Sequence, residues 1–327
     1  SVERLNMNLP FRSSLLATGT LDTRQDKPVF TGNFSTRSSD ALALLLWLGN
    51  QNNIDFSAFA EAVDEGTLQR ASLVGDVLLK QDGLALKGLA GRLGDDYFSA
   101  DISLPDINGR QGDVLFGISN FDLADWGIVE TATAGRESGI VGVLPQLDRL
   151  LARVLSTADA ARKIDFDIQI GRVFAGAQFI GPFKAKGTVA DRQVQIDKLH
   201  LANFANAEVT LNGILNYDAA PPHGALSLAI RGDDAKWAHG PIVSRFGPLD
   251  FNQDVAANMQ FDIQLTAPSS PDWPKVIYRG TGAFGATTAA LSVTSPSRSL
   301  AFVEAGTEIA LSLDGEANGL ADLFFLP

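Results

Sequence analysis

Apolar and polar side chains alternate along most of this chain, and the alternation restricts its fold more than any other feature of the sequence. In one segment Asp165, Asp167 and Gln169 separate four apolar residues, which are Ile164, Phe166, Ile168 and Ile170. Successive side chains of a β-strand point to opposite faces, so this pattern predicts a strand with one apolar and one polar face. The same pattern occurs at residues 5–9, 98–104, 226–230, 261–265 and 309–313. Such strands are typical of antiparallel sheets, whereas parallel sheets covered on both faces have continuous apolar runs.

Short turn-forming groups separate these segments at the spacing of β-hairpins. Residues 81–83, 94–96 and 190–192 are examples. The apolar positions change parity between Ile196 and Leu199, which predicts a β-bulge near residues 197–198. The sequence therefore predicts a mainly β protein with extended, curved antiparallel sheets built from repeated meanders, together with two or three short helices.

Three segments are candidates for those helices. Residues 38–40 are N-cap candidates for an apolar helix over residues 39–49, with Gly49 as the C′ glycine. A second helix is expected over residues 145–161, where apolar residues recur on one stripe, and a shorter one over residues 234–246.

A recurring segment, in which a strand leads into an acidic residue and then into a turn or helix, indicates a repeated architecture. It occurs at residues 30–40, 114–126 and 226–237, and a meander of alternating strands precedes each copy. We divide the chain accordingly into three parts: a first β lobe at residues 1–135 with the helix over 39–49, a helical junction at residues 136–163, and a second β lobe at residues 164–327.

Charge and composition exclude several classes of function. The chain contains 26 Lys and Arg against 38 Asp and Glu, a net charge of −12, so no basic face for nucleic acid is expected. The absence of cysteine excludes disulfides, thiolate metal sites and cysteine nucleophiles. The longest apolar run, residues 41–48, is far shorter than the roughly 20 residues of a membrane-spanning helix. Because the chain opens on Ser1 and not on Met, we expect any anchor or export signal to lie upstream.

No arrangement of residues predicts catalysis, a metal or a cofactor. The segment from Gly280 to Gly285 has the spacing Gly-x-Gly-x-x-Gly, but residues 286–296 favour strand and turn, whereas a dinucleotide site needs a helix there. We therefore predict a glycine-containing β-hairpin. His200, His223 and His239 are widely separated and lack ligand spacing, so we expect them to be solvated, with His200 on a polar strand face and His223 in a loop.

Several segments resemble the AsmA-like proteins of the Gram-negative envelope, which are related to the TamB-type long β-groove proteins. The resemblance rests on the strand at residues 31–34, the helix start and leucine-rich helix at 39–49, and the stretches at 78–91 and 205–213. It implies a periplasmic protein that is anchored to the inner membrane by a segment outside this chain. It also implies a role in outer-membrane assembly or phospholipid movement. Because no catalytic arrangement is found, we expect no enzyme activity.

Two functional hypotheses follow, and the alternation alone does not separate them. In the first, the apolar faces of consecutive strands form a groove that binds or conducts phospholipid or another acyl-chain ligand. The residues predicted to line it in the second lobe are Phe166, Ile168, Ile170, Val209, Leu211, Leu226, Leu228 and Ile230. In the second, the apolar faces pack on each other as a closed sandwich, and the protein is a structural or adaptor component of the envelope with protein partners.

Overall fold

A computed structural model of the protein describes most of the chain. The described residues are 2–23, 27–51, 70–94, 96–105, 111–122, 163–175, 178–204, 206–217, 223–235, 252, 254–267, 270, 275–295 and 308–315. The second and third predicted helices, at residues 145–161 and 234–246, lie outside these residues except for positions 234 and 235, which form a bend.

Sixteen strands form one long, curved, open sheet in which every strand pairs with its neighbours in sequence. The predicted mainly β fold is therefore confirmed. The strands are β1 Val2–Leu9, β2 Ser13–Asp22, β3 Val29–Ser38, β4 Ala71–Lys80, β5 Leu84–Leu93, β6 Asp96–Leu104, β7 Gln111–Asp122, β8 Lys163–Ala175, β9 Gln178–Ala190, β10 Gln193–Phe204, β11 Ala207–Asn216, β12 His223–Gly232, β13 Ala257–Leu265, β14 Val276–Phe284, β15 Thr287–Ser295 and β16 Glu308–Asp314.

All neighbouring strands are antiparallel except β7 and β8, which pair in parallel. Antiparallel neighbours can be joined by a tight hairpin, but parallel neighbours need a long crossover. Residues 123–162 provide that length between β7 and β8. The sheet is therefore continuous across the expected junction at residues 136–163, while the division into two lobes stays a prediction.

The helix α1, Ala41–Gln51, follows β3. The carboxylate of Asp40 accepts a hydrogen bond from the backbone N–H of Ala43 at 3.0 Å, so Asp40 is the N-cap, as the sequence predicts. The expected C-terminal boundary was wrong, because Gly49 lies within the helix and not after it. An internal glycine costs a helix only about 1 kcal/mol, and it does not end α1 here.

Two bulges keep the apolar residues on one face of the sheet. The predicted bulge in β10 is confirmed, since the register shifts between Ile196 and Leu199 on both of its neighbours. A second bulge, which the sequence analysis missed, interrupts β5 between Leu86 and Leu89. There Gly88 has a φ of 57°, a left-handed conformation that glycine adopts without a steric penalty.

The three recurring segments leave the sheet at the same end. Because strand direction alternates except at the parallel pair, β3, β7 and β12 all run the same way. The connections that follow them, at residues 39–70, 123–162 and 233–256, therefore start at one end, which we call the α1 end of the sheet.

Candidate functional site

Apolar side chains and glycines occupy one face of the sheet from β1 to β15. Residues that face each other on neighbouring strands form rows across the sheet, because paired positions point to the same side. The central row consists of Leu5, Ala17, Phe34, Gly75, Leu89, Ala100, Phe116, Ile168, Ala185, Leu199, Leu211, Leu228, Phe261, Gly280 and Leu291. We call this side of the sheet the apolar face.

The rows on either side of the central row have the same character. The row nearer the α1 end has Thr36 as its one polar member from β1 to β15. The row on the other side runs from Gly19 through residues such as Ile102 and Phe166 to Val293. The apolar face is therefore at least three residues wide along the strands.

The eight residues predicted to line a groove all lie on the apolar face. Two of them, Val209 and Ile230, are buried, at 8% and 4% exposure. The other six are half-buried: Phe166, Ile168, Ile170, Leu211, Leu226 and Leu228. The structure thus brings together side chains that are up to 64 positions apart in the sequence, from Phe166 to Ile230. Whether they contact a ligand stays a prediction.

Exposure of the apolar face changes along the sheet. Near the first edge Leu5, Met7 and Leu79 are 45%, 42% and 43% exposed, whereas Met259 and Ile263 are only 5% and 6% exposed. The apolar side chains of β8 to β15 form one buried cluster with partly buried neighbours packed against it. The most exposed apolar side chains of this face therefore lie in β1, β2 and β4, whereas Leu89 of β5 and Ile118 of β7 are buried. The prediction of groove residues in β8 to β12 overlooked the exposed part. The alternation at residues 5–9 and 98–104 places apolar side chains on this face, but it does not give their exposure.

Phenylalanine rings lie across glycines on the apolar face. A Cβ atom built at Gly91 would come within 2.6 Å of the ring of Phe98, and one built at Gly187 within 2.9 Å of the ring of Phe166. Phe261 covers Gly280 in the same way. A ring that lies flat on a glycine fills the space of the missing side chain, so the face stays even.

The opposite face is polar and carries charged pairs. On it Asp165 accepts a hydrogen bond from the hydroxyl of Thr188 at 2.5 Å, and the ammonium of Lys163 lies 3.4 Å away. The Thr188 hydrogen bond, followed by Lys163, lowers the pKa of Asp165 below its usual range against the opposing effect of desolvation. His200 lies 2.9 Å from the carboxylate of Glu208 on the same face. The predicted solvent-facing role of Asp165 and Asp167 agrees with this placement.

The glycine-rich segment forms a strand and a hairpin, as predicted. Gly280 and Gly282 lie in β14, and Gly285, with a φ of 56°, begins the turn to β15. The expectation for His223 was wrong, since it is the first residue of β12 and not part of a loop. Among the described residues, no group of three or more histidine or acidic side chains has the arrangement of a metal site.

No family model matches this chain, and neither the curated proteins nor the solved structures contain a significant match to it. AsmA-like membership therefore stays a prediction from the segments named above. Within the described residues, no helix is long and apolar enough to cross a membrane.

Proposed function

We propose that the protein binds a lipid, and conducts it along the strands' apolar face, without catalysing a reaction. The observation that carries this proposal is the apolar face itself, whose rows continue from β1 to β15 and whose side chains Leu5, Met7 and Leu79 near the first edge are exposed. Soluble monomers seldom expose more than a few hundred Å² of contiguous apolar surface unless it is a binding site. Apart from Thr36 and the phenol of Tyr278, the described side chains in the three rows are apolar or absent, which suits the binding of an apolar ligand.

Acyl chains fit this surface for a physical reason. Each CH₂ group that leaves water contributes about 0.8 kcal/mol, and the contribution does not depend on direction or on specific hydrogen bonds. A row of similar apolar side chains therefore offers an acyl chain many equivalent positions, separated by small energy differences. That property suits movement along the face as well as binding.

We extend the proposal to the cell envelope on the basis of the AsmA-like resemblance alone. In this form the protein is a periplasmic component of outer-membrane assembly, attached to the inner membrane by a segment outside this chain, with phospholipid as its ligand. Envelope proteins are its proposed macromolecular partners.

The alternative function is a structural or adaptor role with a closed core. It is favoured by the buried cluster of β8 to β15, in which Val293 is 1% exposed and Ile230 is 4% exposed. In this alternative the exposed part of the face near the first edge binds a protein partner instead of a lipid.

The test uses neighbouring apolar residues on opposite faces of β7. Phe116 lies in the central row of the apolar face, and Leu115, 44% exposed, lies on the polar face. Protein purified from Gram-negative cells is expected to carry phospholipid, detected by native mass spectrometry. We expect Phe116→Asp to reduce lipid occupancy several-fold and Leu115→Asp to leave it unchanged, since only the first places a carboxylate on the lipid's path.

A second variant separates loss of binding from loss of folding. Leu79 is 43% exposed on the apolar face, so the carboxylate of Leu79→Asp meets water and the protein should melt within a few degrees of the wild type while losing lipid. Ile263→Asp buries an unpaired carboxylate in the cluster and should unfold that half. Wild-type protein without lipid, or equal lipid loss in Leu115→Asp and Phe116→Asp, would refute the lipid proposal and favour the adaptor.

A further inference from the structure

Four arginines line one cleft at the α1 end of the sheet. Arg12 lies in the turn between β1 and β2, Arg37 near the end of β3, Arg70 just before β4, and Arg92 near the end of β5. The hydroxyl-bearing residues Ser39 and Ser72 line the same cleft. We call this the arginine cleft.

Strand register brings these arginines together from positions far apart in the sequence. Arg37 faces Ser72 on β4, and Ser72 faces Arg92 on β5, so the two arginines flank one serine on the polar face. The backbone carbonyl of Arg70 accepts a hydrogen bond from the N–H of Gly94 at 2.8 Å, which holds the start of β4 against the end of β5. The cleft is thus built on a hydrogen-bonded part of the sheet.

Three of the four arginines in the cleft have no side-chain partner in the described part of the chain. There, Arg12, Arg37 and Arg70 form no ion pair and no side-chain hydrogen bond. The guanidinium of Arg92 lies over the ring of Tyr97, with its central carbon 5.5 Å from the ring centroid.

Acidic residues are numerous in the chain and absent from the described lining of the cleft. The chain has 38 Asp and Glu against 26 Lys and Arg, yet no carboxylate is among the described residues that line this cleft. Asp40 and Asp95 each follow a lining residue in the sequence; the carboxylate of Asp40 accepts a hydrogen bond from the N–H of Ala43 in α1, and Asp95 lies outside the described residues. Like charges held close together repel each other, and a bound anion removes that repulsion.

We propose that the arginine cleft binds a phosphate group. Guanidinium groups have a planar arrangement of donors that matches phosphate oxygens two at a time, and they bind phosphate more specifically than ammonium groups do. Ser72 adds a hydroxyl donor on the same surface, whereas the hydroxyl of Ser39 donates to the backbone carbonyl of Phe11 at 3.3 Å. The proposal goes beyond the lipid-binding face, because a phosphate site requires no apolar groove.

The phosphate has two possible carriers, a soluble phosphate ester and a phospholipid headgroup. Ser38 lines the cleft and lies on the same face of β3 as Phe34 and Thr36. Its hydroxyl accepts a hydrogen bond from the hydroxyl of Ser13 at 2.8 Å. The cleft therefore adjoins the end of the apolar face, and a headgroup held there would direct its acyl chains onto that face. This lipid form of the proposal rests on the proposed function.

Calorimetric titration of the full chain with two probes tests the proposal. The probes are glycerol 3-phosphate and short-chain dihexanoyl phosphatidic acid below its micelle concentration. The double variant that carries both Arg37→Gln and Arg70→Gln should bind the probes about tenfold or more weakly than the wild type, because it lacks two charged donors. The matched control, Lys184→Gln with Lys186→Gln, removes the same charge from the polar face of β9 and should bind as the wild type does. Neither arginine has a side-chain partner among the described residues, so melting should be unchanged.

The outcomes separate the two carriers and the two proposals. Tighter binding of phosphatidic acid than of glycerol 3-phosphate, with the difference lost in Met7→Asp on the apolar face of β1, supports a lipid headgroup. Equal binding of the two probes supports a soluble ester and would leave the cleft proposal standing even where the lipid proposal fails. The phosphate site would be overturned if the wild type binds neither probe. It would also be overturned if the double arginine variant and the double lysine variant weaken binding equally.

Discussion

Single residues determine how side chains pack on the apolar face. Glycines at register positions such as Gly91, Gly187 and Gly280 leave room for a phenylalanine ring from the adjacent strand. In a sheet of this length, such pairs let the strands coil without a gap in the surface. In the Gly-x-Gly-x-x-Gly segment, Gly280 has this packing role with Phe261.

We expect Gly280→Val to destabilise the protein by about 1–3 kcal/mol, because the new side chain occupies the position of the Phe261 ring. Chemical denaturation followed by circular dichroism measures the change. Ala290→Val, an exposed position on the polar face of β15, is the matched control and should alter stability by about 0.5 kcal/mol or less. Equal effects of the two substitutions would contradict the packing of Phe261 on Gly280.

At the scale of elements, several strand pairs are joined on their polar face by side-chain hydrogen bonds or charges. The β8–β9 pair is one example, in which Asp165 lies directly opposite Thr188. The Thr188 hydroxyl and Lys163 both favour the carboxylate form of Asp165, so the pKa of Asp165 in the folded protein is below its usual value of 3.8. A carboxyl whose folded pKa is lowered stabilises the fold above its unfolded pKa, and this contribution is lost as the pH falls through the folded pKa.

Thr188→Val removes the hydroxyl donor and should raise the pKa of Asp165 towards 3.8. NMR titration of the Asp165 carboxyl carbon between about pH 2 and pH 6 measures the shift. The stability that the variant loses near neutral pH should diminish as the pH falls through the wild-type pKa of Asp165. Thr210→Val, on the polar face of β11, is the control and should leave that titration unchanged. An Asp165 pKa that is the same in Thr188→Val and in the wild type would refute the role of Thr188.

For the whole molecule, the sheet combines exposed apolar side chains near its first edge with a buried apolar cluster in its second half. Among the described residues, those of the buried cluster come from β8 to β15. Burial of apolar side chains is the main stabilising contribution in folding, so the two halves should differ in local stability although they share one hydrogen-bonded sheet.

Hydrogen exchange followed by mass spectrometry tests this difference. Backbone amides of β12 to β15 should exchange more slowly than those of β2 to β5, because opening the second half exposes more apolar surface. Addition of phospholipid should slow exchange in β1 to β7 and have a smaller effect on β12 to β15. Uniform exchange across the sheet, with or without lipid, would contradict both the burial difference and the location of the exposed part of the face.

The sequence by itself determined what is local in this protein. Alternation assigned the two faces of each strand, the change of parity after Ile196 located a bulge, and Asp40 was among the predicted caps of α1. The eight predicted groove residues lie on one face for the same reason, since side-chain direction in a strand depends only on position along it.

The tertiary structure decided what depends on contacts between distant segments. Alternation gives the direction of a side chain but not its neighbours. It therefore did not indicate that β7 pairs in parallel with β8, or that Ile263 is buried whereas Leu5 is exposed. The arginine cleft was not predicted for the same reason, because Arg37 and Arg92 are 55 positions apart and meet only through the register of β3, β4 and β5. Register and curvature are properties of the assembled sheet, and both the exposed part of the apolar face and the cleft arise from them.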